Sequence, residues 1–318
     1  MASITRRAEI AAALSAAGST CVSGETLAAE FGISRVAVNK HIASLRALGY
    51  QIDSKPHVGY RLVSAPDACI PEEVGPRLRD SMWTACDGMA ETVSTNEEAK
   101  RLARNGAAEG TVVVAGRQTG GRGRLGRTWE SPEGGAYCSF VLRPNVPPST
   151  IAPLPLVVAV GAARALTALG VPVRLKWPND LLVGGRKLGG ILLEVAAEPD
   201  CVEWVVVGCG VNVASGPGEN AAAVRDFVPM ASVPGVAAAV LDAVAGAYRE
   251  FLHEGFGALR REYEALSALT GRVVHVANAL GEAVAEGAVS GLGEDGALVL
   301  SGPSGETRVH AGEVTLRR

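Results

Sequence analysis

Two runs rich in apolar and β-branched residues, 111–116 and 136–143, read as strands, and the segment between them can be neither helix nor strand. From Gly116 to Trp129, glycines 120, 121, 123 and 126 are interleaved with Arg122, Arg124 and Arg127. Glycine at that density disfavours regular structure, yet it lets the main chain approach a ligand with its N–H groups turned inward. The arginines fix positive charge beside those donors. The chain must therefore build sheet strands that carry a cationic loop suited to two anionic groups. Two unit negative charges about 4 Å apart repel by roughly 4 kcal/mol at an effective dielectric near 20, so joining a carboxylate to a nucleotide phosphate requires such cations. The spacing does not match the P-loop pattern, which disfavours an ordinary NTPase. By composition alone, a flexible surface loop or a Gly-Arg segment that binds RNA stays open.

The remaining composition narrows the setting. A chain of 318 residues with 47% hydrophobic content can bury two or three cores, and a net charge of −3 supplies no global field for nucleic acid or anionic lipid. The charge is uneven, however. Residues 1–64 hold seven Lys and Arg against four acids, a balance of +3, which leaves −6 for the rest. Cysteines 21, 69, 86, 138, 201 and 209 form no C-x-x-C pair and no disulfide framework, consistent with a reducing cytoplasm. The apolar stretch 151–173 is broken by Pro153, Pro155, Arg164 and Pro172. About 16 residues of helix remain where spanning needs roughly 20, so it reads as a buried core helix and no membrane partner is expected. The five histidines show no metal spacing, and metal ligands stay unknown.

Residues 1–64 read as a separate module. Ser23 to Ile42 has the grammar of helix, Gly-containing turn and helix, with Ser34 as N-cap of the second. Val38, Ile42 and Leu45 share one stripe of that helix, while Arg35, Asn39 and Arg46 share another. Two short strands follow, with Lys55 and His57 at their turn, as in a wing. The pattern resembles a winged helix-turn-helix, in which Arg and Asn aim at base edges and Lys at phosphate. The expected DNA contacts are Ser34, Arg35, Asn39, Lys40, Arg46 and Lys55; a three-helix packing domain is the alternative. After a proline-marked linker, residues 65–269 alternate helix and strand as a mixed α/β core whose sheet is mainly sequence-local. They include a tight hairpin at Gly184-Gly185. Residues 270–318 carry short strands between Gly-rich turns, a small β-barrel or sandwich.

A second signature lies at Lys176-Trp177-Pro178-Asn179-Asp180, followed by Lys187 just past the hairpin turn. A lysine on a rigid hairpin can be held against a reacting carboxyl or phosphate, and Asp180 on the partner strand can orient it. With the Gly-Arg loop, residues 186–191 and the Gly208-Cys209-Gly210-Val211-Asn212 run, this chain resembles the biotin protein ligases. With the winged helix in front it resembles their bifunctional ligase and biotin operon repressor members. The resemblance covers nearly the whole chain. It implies an α+β architecture: a winged helix-turn-helix, a central mixed α/β ligase domain related to class II synthetases, and a C-terminal SH3-like β-barrel.

The resemblance further implies biotin as substrate, ATP and Mg2+ as cofactors, and a biotin carboxyl carrier protein or domain as acceptor. Operator DNA and a homodimer of the adenylate-bound protein would be the other partners. Ser94, Thr95, Asn96, Gln118, Gly121, Arg122, Lys187 and Gly190 look like biotin contacts. Arg122, Arg124, Trp129, Asn179, Asp180 and Asn212 look like adenylate contacts, and Lys187, Arg122 and Arg124 would carry catalysis. Gly190 and glycines 208 and 210 would let backbone approach the ligand. Leu125 and Thr128 depart from the arginine and lysine frequent in bifunctional members, which bears on the repressor half. The glycine spacing predicts that residues 117–129 are mobile without ligand. Rival readings are a lipoate protein ligase, whose carboxylate chemistry is the same, and a regulator that senses biotin without ligating it.

Overall fold

The computed structural model describes residues 3–303 and 305–316. Three capped helices open the chain: α1 (Arg6–Ala16), α2 (Gly24–Phe31) and α3 (Arg35–Ala47). Ser23 and Ser34 accept backbone N–H groups at 3.0 and 3.1 Å to start α2 and α3. Gly32 ends α2 in the left-handed region at φ 62°. Ile10, Leu14, Leu27, Val38, Ile42 and Leu45 form the module's core. The hairpin β1 (Gln51–Lys55) and β2 (Gly59–Ser64) stands beside α3 as the expected wing.

The proline-marked linker is packed against the central unit. Asp67 accepts the Val233 N–H at 2.7 Å and pairs with Arg225, while Cys69 and Ile70 are buried. Pro71 starts the short helix α4 (Pro71–Val74), whose Glu72 and Glu73 are buried and partnered from the N-terminal module. Arg7 reaches Glu72 at 2.6 Å, and the Tyr50 hydroxyl donates to Glu73 at 2.5 Å. Ser3 also bridges Ala85 in parallel register, which ties the module to the edge of the central sheet.

That sheet comprises β3 (Ala85–Thr92), β4 (Thr111–Gln118), β5 (Gly135–Leu142), β6 (Arg174–Lys176), β7 (Asp180–Val183), β8 (Arg186–Ala197) and β9 (Val202–Asn212). Its order is β3-β4-β5-β9-β8-β7-β6, parallel at β3–β4 and antiparallel elsewhere. The expectation of a mainly local sheet holds except at one place: β5 pairs with β9 across the whole β6–β8 meander. All of β5 is buried because both faces of the sheet are covered there. Helix α5 (Thr95–Arg104) lies on one side, with Ala99 and Ala103 against Val113, Val141 and Val206. Helices α6 (Leu154–Ala168), α7 (Val233–Glu254) and α8 (Phe256–Leu266) join the main core on the other.

The apolar stretch 151–173 is indeed a buried helix, and no helix of the described residues is long and apolar enough to cross a membrane. The C-terminal strands β10 (Val273–Ala277), β11 (Ala283–Leu292), β12 (Leu298–Gly302), β13 (Gly305–Val309) and β14 (Glu313–Leu316) form one antiparallel sheet ordered β13-β12-β11-β10-β14.

Helices α6 and α7 meet at Gly161, where a Cβ would lie 2.7 Å from the Val244 Cα, a backbone atom. Gly161→Val is therefore expected to destabilise the fold by about 1–3 kcal/mol through overpacking. Urea unfolding would show this as a lower midpoint at unchanged m-value.

Candidate active site

The first turn of α5, the ends of β4, β8 and β9, the Gly-Arg segment and the start of β14 converge on a cavity of about 160 Å3. Its polar wall is built from side chains that bury each other's hydrogen-bonding groups. Gln118 Oε1 accepts the Thr95 N–H at 2.8 Å and the Thr95 hydroxyl at 3.1 Å, and its Nε2 donates to Ser131 Oγ at 2.8 Å. Ser139 Oγ lies 2.7 Å from Thr95 Oγ1 and 2.6 Å from Asn96 Oδ1, and Asn96 Nδ2 donates to Glu194 at 2.8 Å. Ser94, Thr95, Asn96, Ser131 and Ser139 are all buried, so their mutual hydrogen bonds hold this wall in place.

Charge is arranged around that wall. Glu97, on α5, takes an ion pair from Arg122 at 2.8 Å and a hydrogen bond from Lys100 at 2.9 Å; the same ammonium donates to Glu194 at 2.6 Å. The Lys100 bond, reinforced by Arg122, holds the Glu97 carboxyl below the usual carboxylate range. Burial pulls Lys100 down, but its bonds to Glu194 and Glu97 outweigh that and raise it. Across the cavity Arg124 Nη1 donates to the Gly312 carbonyl at 3.3 Å, and Arg127 forks onto Glu313. Burial pushes Arg124 down from the ordinary arginine value, and the Arg127 bond holds Glu313 below its own.

Lys187 Nζ stands 2.7 Å from Asp180 Oδ1 and 5.1 Å from the centre of the Trp129 ring. The indole lies on the glycines of β8 and β9. A Cβ on Gly210 would fall 2.9 Å from Trp129 Nε1, and one on Gly190 3.3 Å from the ring. A Cβ on Gly208 would fall 2.2 Å from Asn96 Oδ1. Two side chains of the protein itself therefore cover these glycines. Trp129 Nε1 is buried and has no hydrogen-bond partner among the described residues.

Of the residues singled out in the sequence, Ser94, Thr95, Asn96, Gln118, Arg122, Arg124, Trp129, Asn179, Asp180, Lys187 and Gly190 line the cavity together. Gly121 and Asn212 do not line it. Gly121 closes the neck of the loop, its carbonyl accepting the Trp129 N–H at 2.9 Å. Asn212 is buried, and its Nδ2 holds the Ala222 carbonyl at 3.1 Å and that of Lys187 at 3.3 Å, so it fixes the lysine's backbone. Asn179 pins β8 by donating to the Ile191 carbonyl at 2.8 Å. Glu97, Lys100, Ser131, Ser139, Glu194 and Glu313 were not foreseen. Only the i, i+3 spacing of Glu97 and Lys100 carried any signal, and that spacing also describes an ordinary surface pair.

On the N-terminal module Arg35, Asn39 and Lys40 on α3 and Lys55 in the wing are exposed. Arg35 pairs with Glu25 at 3.0 Å, and Asn39 accepts from the Tyr60 hydroxyl. Arg46 turns back to the Ile52 carbonyl and Ser54, bracing the wing, and Ser34 serves as the cap.

A helix-turn-helix in front of a mixed sheet with a cation-ringed cavity defines a class. Residues 89–212 match the biotin/lipoate A/B protein ligase family, and residues 6–61 match an HTH domain. The bifunctional ligase/repressor BirA of Bacillus subtilis (strain 168) is 32% identical over 98% of this chain and 99% of its own length. BirA of Escherichia coli (strain K12) is 31% identical over 93% of this chain and 92% of its own. The solved biotin protein ligase from Aquifex aeolicus in complex with biotin and ATP superposes with a TM-score of 0.63 at 30% identity, covering 73% of this chain and 98% of that one. The chain belongs to the family of bifunctional biotin ligase/repressors.

Gly210→Ala is expected to displace the Trp129 ring and loosen the segment it anchors. Limited trypsin digestion should then cleave at Arg122, Arg124 and Arg127 severalfold faster than in the unaltered protein. Equal rates would mean that the indole yields without releasing the loop.

Proposed function

We propose that this protein activates biotin with ATP, transfers the biotinyl group to a lysine of a biotin carboxyl carrier protein or domain, and acts as a biotin-responsive repressor through its helix-turn-helix. The observation that carries the enzymatic part is the meeting of Lys187, Arg122 and Arg124 at one cavity that is also lined by the neutral, hydrogen-bonding Ser94, Thr95, Asn96 and Gln118. In the first step a biotin carboxylate oxygen attacks the α-phosphorus of ATP. The bond from that phosphorus to the bridging oxygen breaks, giving biotinyl-5′-adenylate and pyrophosphate. In the second, the carrier's neutral ε-amine attacks the acyl carbon, AMP leaves, and the amine gives up a proton as the amide forms.

Neither step needs a protein nucleophile. Lys187, oriented by Asp180, places a point charge against the carboxylate and the entering phosphate. Arg122 and Arg124 offset the repulsion between the two anions, while Trp129 and the loop shield the mixed anhydride from water. Ser94, Thr95 and Gln118 supply paired donors and acceptors for the ureido ring. Among the described residues no three His, Cys, Asp or Glu side chains converge as a metal site. Asp180 and Glu313 border the cavity but are committed to Lys187 and Arg127. That donor set fits a magnesium ion that arrives on the triphosphate and is held mainly by phosphate and water, for which Asp180 would have to share its carboxylate with Lys187. Such an ion would neutralise phosphate charge.

The working units on this reading are a DNA-binding module over 1–64, a catalytic unit over 65–269 and a β domain over 270–318. Arg35, Asn39, Lys40 and Lys55 supply exposed donors for operator DNA, and a homodimer of the adenylate-bound protein would match a palindromic site. Identities of 31–32% to bifunctional ligase/repressors over almost the whole chain favour biotin over lipoate. Biotin-dependent exchange of label between pyrophosphate and ATP is the test. It should proceed with biotin, fail with lipoate, and fall by about 100-fold or more in Lys187→Ala. Exchange with lipoate alone would refute the reading.

A further inference from the structure

The loop's Arg122 does not float over the cavity but is tied to a chain of alternating charges that no catalytic step requires. From Arg122 the chain runs to Glu97, then Lys100, then Glu194, and ends on Asn96 in the cavity wall. An exposed pair such as Arg122–Glu97 is ordinarily worth little, since each partner is free to move in water. Here Glu97 is not free. Lys100 is 8% exposed and donates to both carboxylates, so Glu97 is held in place from below by a buried ammonium that itself needs two anions. The approach of the guanidinium to Glu97 is by Nη1 at 2.8 Å, and arginine's rigid fork of five N–H donors leaves others for a ligand in the cavity that Arg122 lines.

We propose that Glu97, braced by Lys100 and Glu194, is a positioning residue that presents Arg122 to the ligand carboxylate. The inference rests on the proposed biotin chemistry. Glu97 touches no reacting atom and does not line the cavity; it acts through the arginine. Because Glu194 also holds the Asn96 carboxamide, the same network ties the loop's cation to the neutral wall.

Glu97→Gln keeps the size of the side chain and removes its charge. Biotin binding by calorimetry is expected to weaken about fivefold, the effect of losing roughly one surface-type ion pair of about 1 kcal/mol. In exchange assays KM for biotin should rise by the same factor with kcat little changed, and Glu97→Asp should recover part of the loss. In an Arg122→Gln background, Glu97→Gln should have no further effect.

Unchanged binding in Glu97→Gln would overturn the proposal. Equal weakening in the Arg122→Gln background would also overturn it, because Glu97 would then act only by holding α5 together. Tighter binding would overturn it too, making Glu97 a competitor for the arginine. The unaltered protein separates the two levels. If it neither binds biotin nor exchanges pyrophosphate, the functional reading falls and the inference with it. If it does both, the Glu97 results judge the inference alone.

Discussion

Three arginines within six residues repel one another, and a glycine-rich segment has little backbone preference with which to resist. The structure gives each guanidinium a separate anionic or carbonyl partner outside the loop. Arg122 goes to Glu97 on α5, Arg124 to the Gly312 carbonyl and Arg127 to Glu313 on β14. The cavity's roof is thus fastened on one side by a helix of the central unit and on the other by the C-terminal sheet. This explains why a small β domain belongs to the site at all: without Gly312 and Glu313, two of the three cations would have no counterpart on the far rim. It also explains how Trp129 can pack against Gly190 and Gly210, since its ring is carried by a segment anchored at both ends.

The same logic of partnered charges joins the modules. Glu72 and Glu73 are buried, a costly position for carboxylates unless they are paired. Their partners Arg7 and Tyr50 come from the N-terminal module, and Arg77 adds an ion pair to Glu73 at 2.8 Å. Beside them Ser3 extends the central sheet at the first residue of β3, the strand whose far end leads into Ser94 and Thr95. The helix-turn-helix and the polar wall of the cavity are therefore attached to opposite ends of one eight-residue strand.

Much of this was legible in the sequence wherever the signal is local. Ser34 as a cap, the α3 stripe of Val38, Ile42 and Leu45, the Gly184-Gly185 hairpin and the loop's cations depend on near neighbours in the chain, and they stand where the pattern put them. Strand β3 carries no such signal because it is an edge strand with mostly exposed or half-buried residues and no apolar alternation. Strand β6 is only three residues long. The β5–β9 pairing and the bonds from Lys100 to Glu194 and from Arg127 to Glu313 join residues far apart in the chain, so no spacing rule could announce them. Asn212 and Gly121 lie in recognisable motifs, yet the structure uses them to hold Lys187 and the loop neck rather than to face the cavity. A motif marks residues that matter to a site without distinguishing those that face it from those that support it.

The account stands or falls on whether this arrangement of cations and neutral donors carries an acid through to an amide. The most direct measurement is the intact mass of a biotin carboxyl carrier domain after incubation with the purified protein, biotin and ATP. The account predicts a single biotinyl addition at one carrier lysine, with one AMP and one pyrophosphate released for each, and no addition when ATP is withheld. A carrier of unchanged mass, with ATP intact and the protein folded, would contradict it.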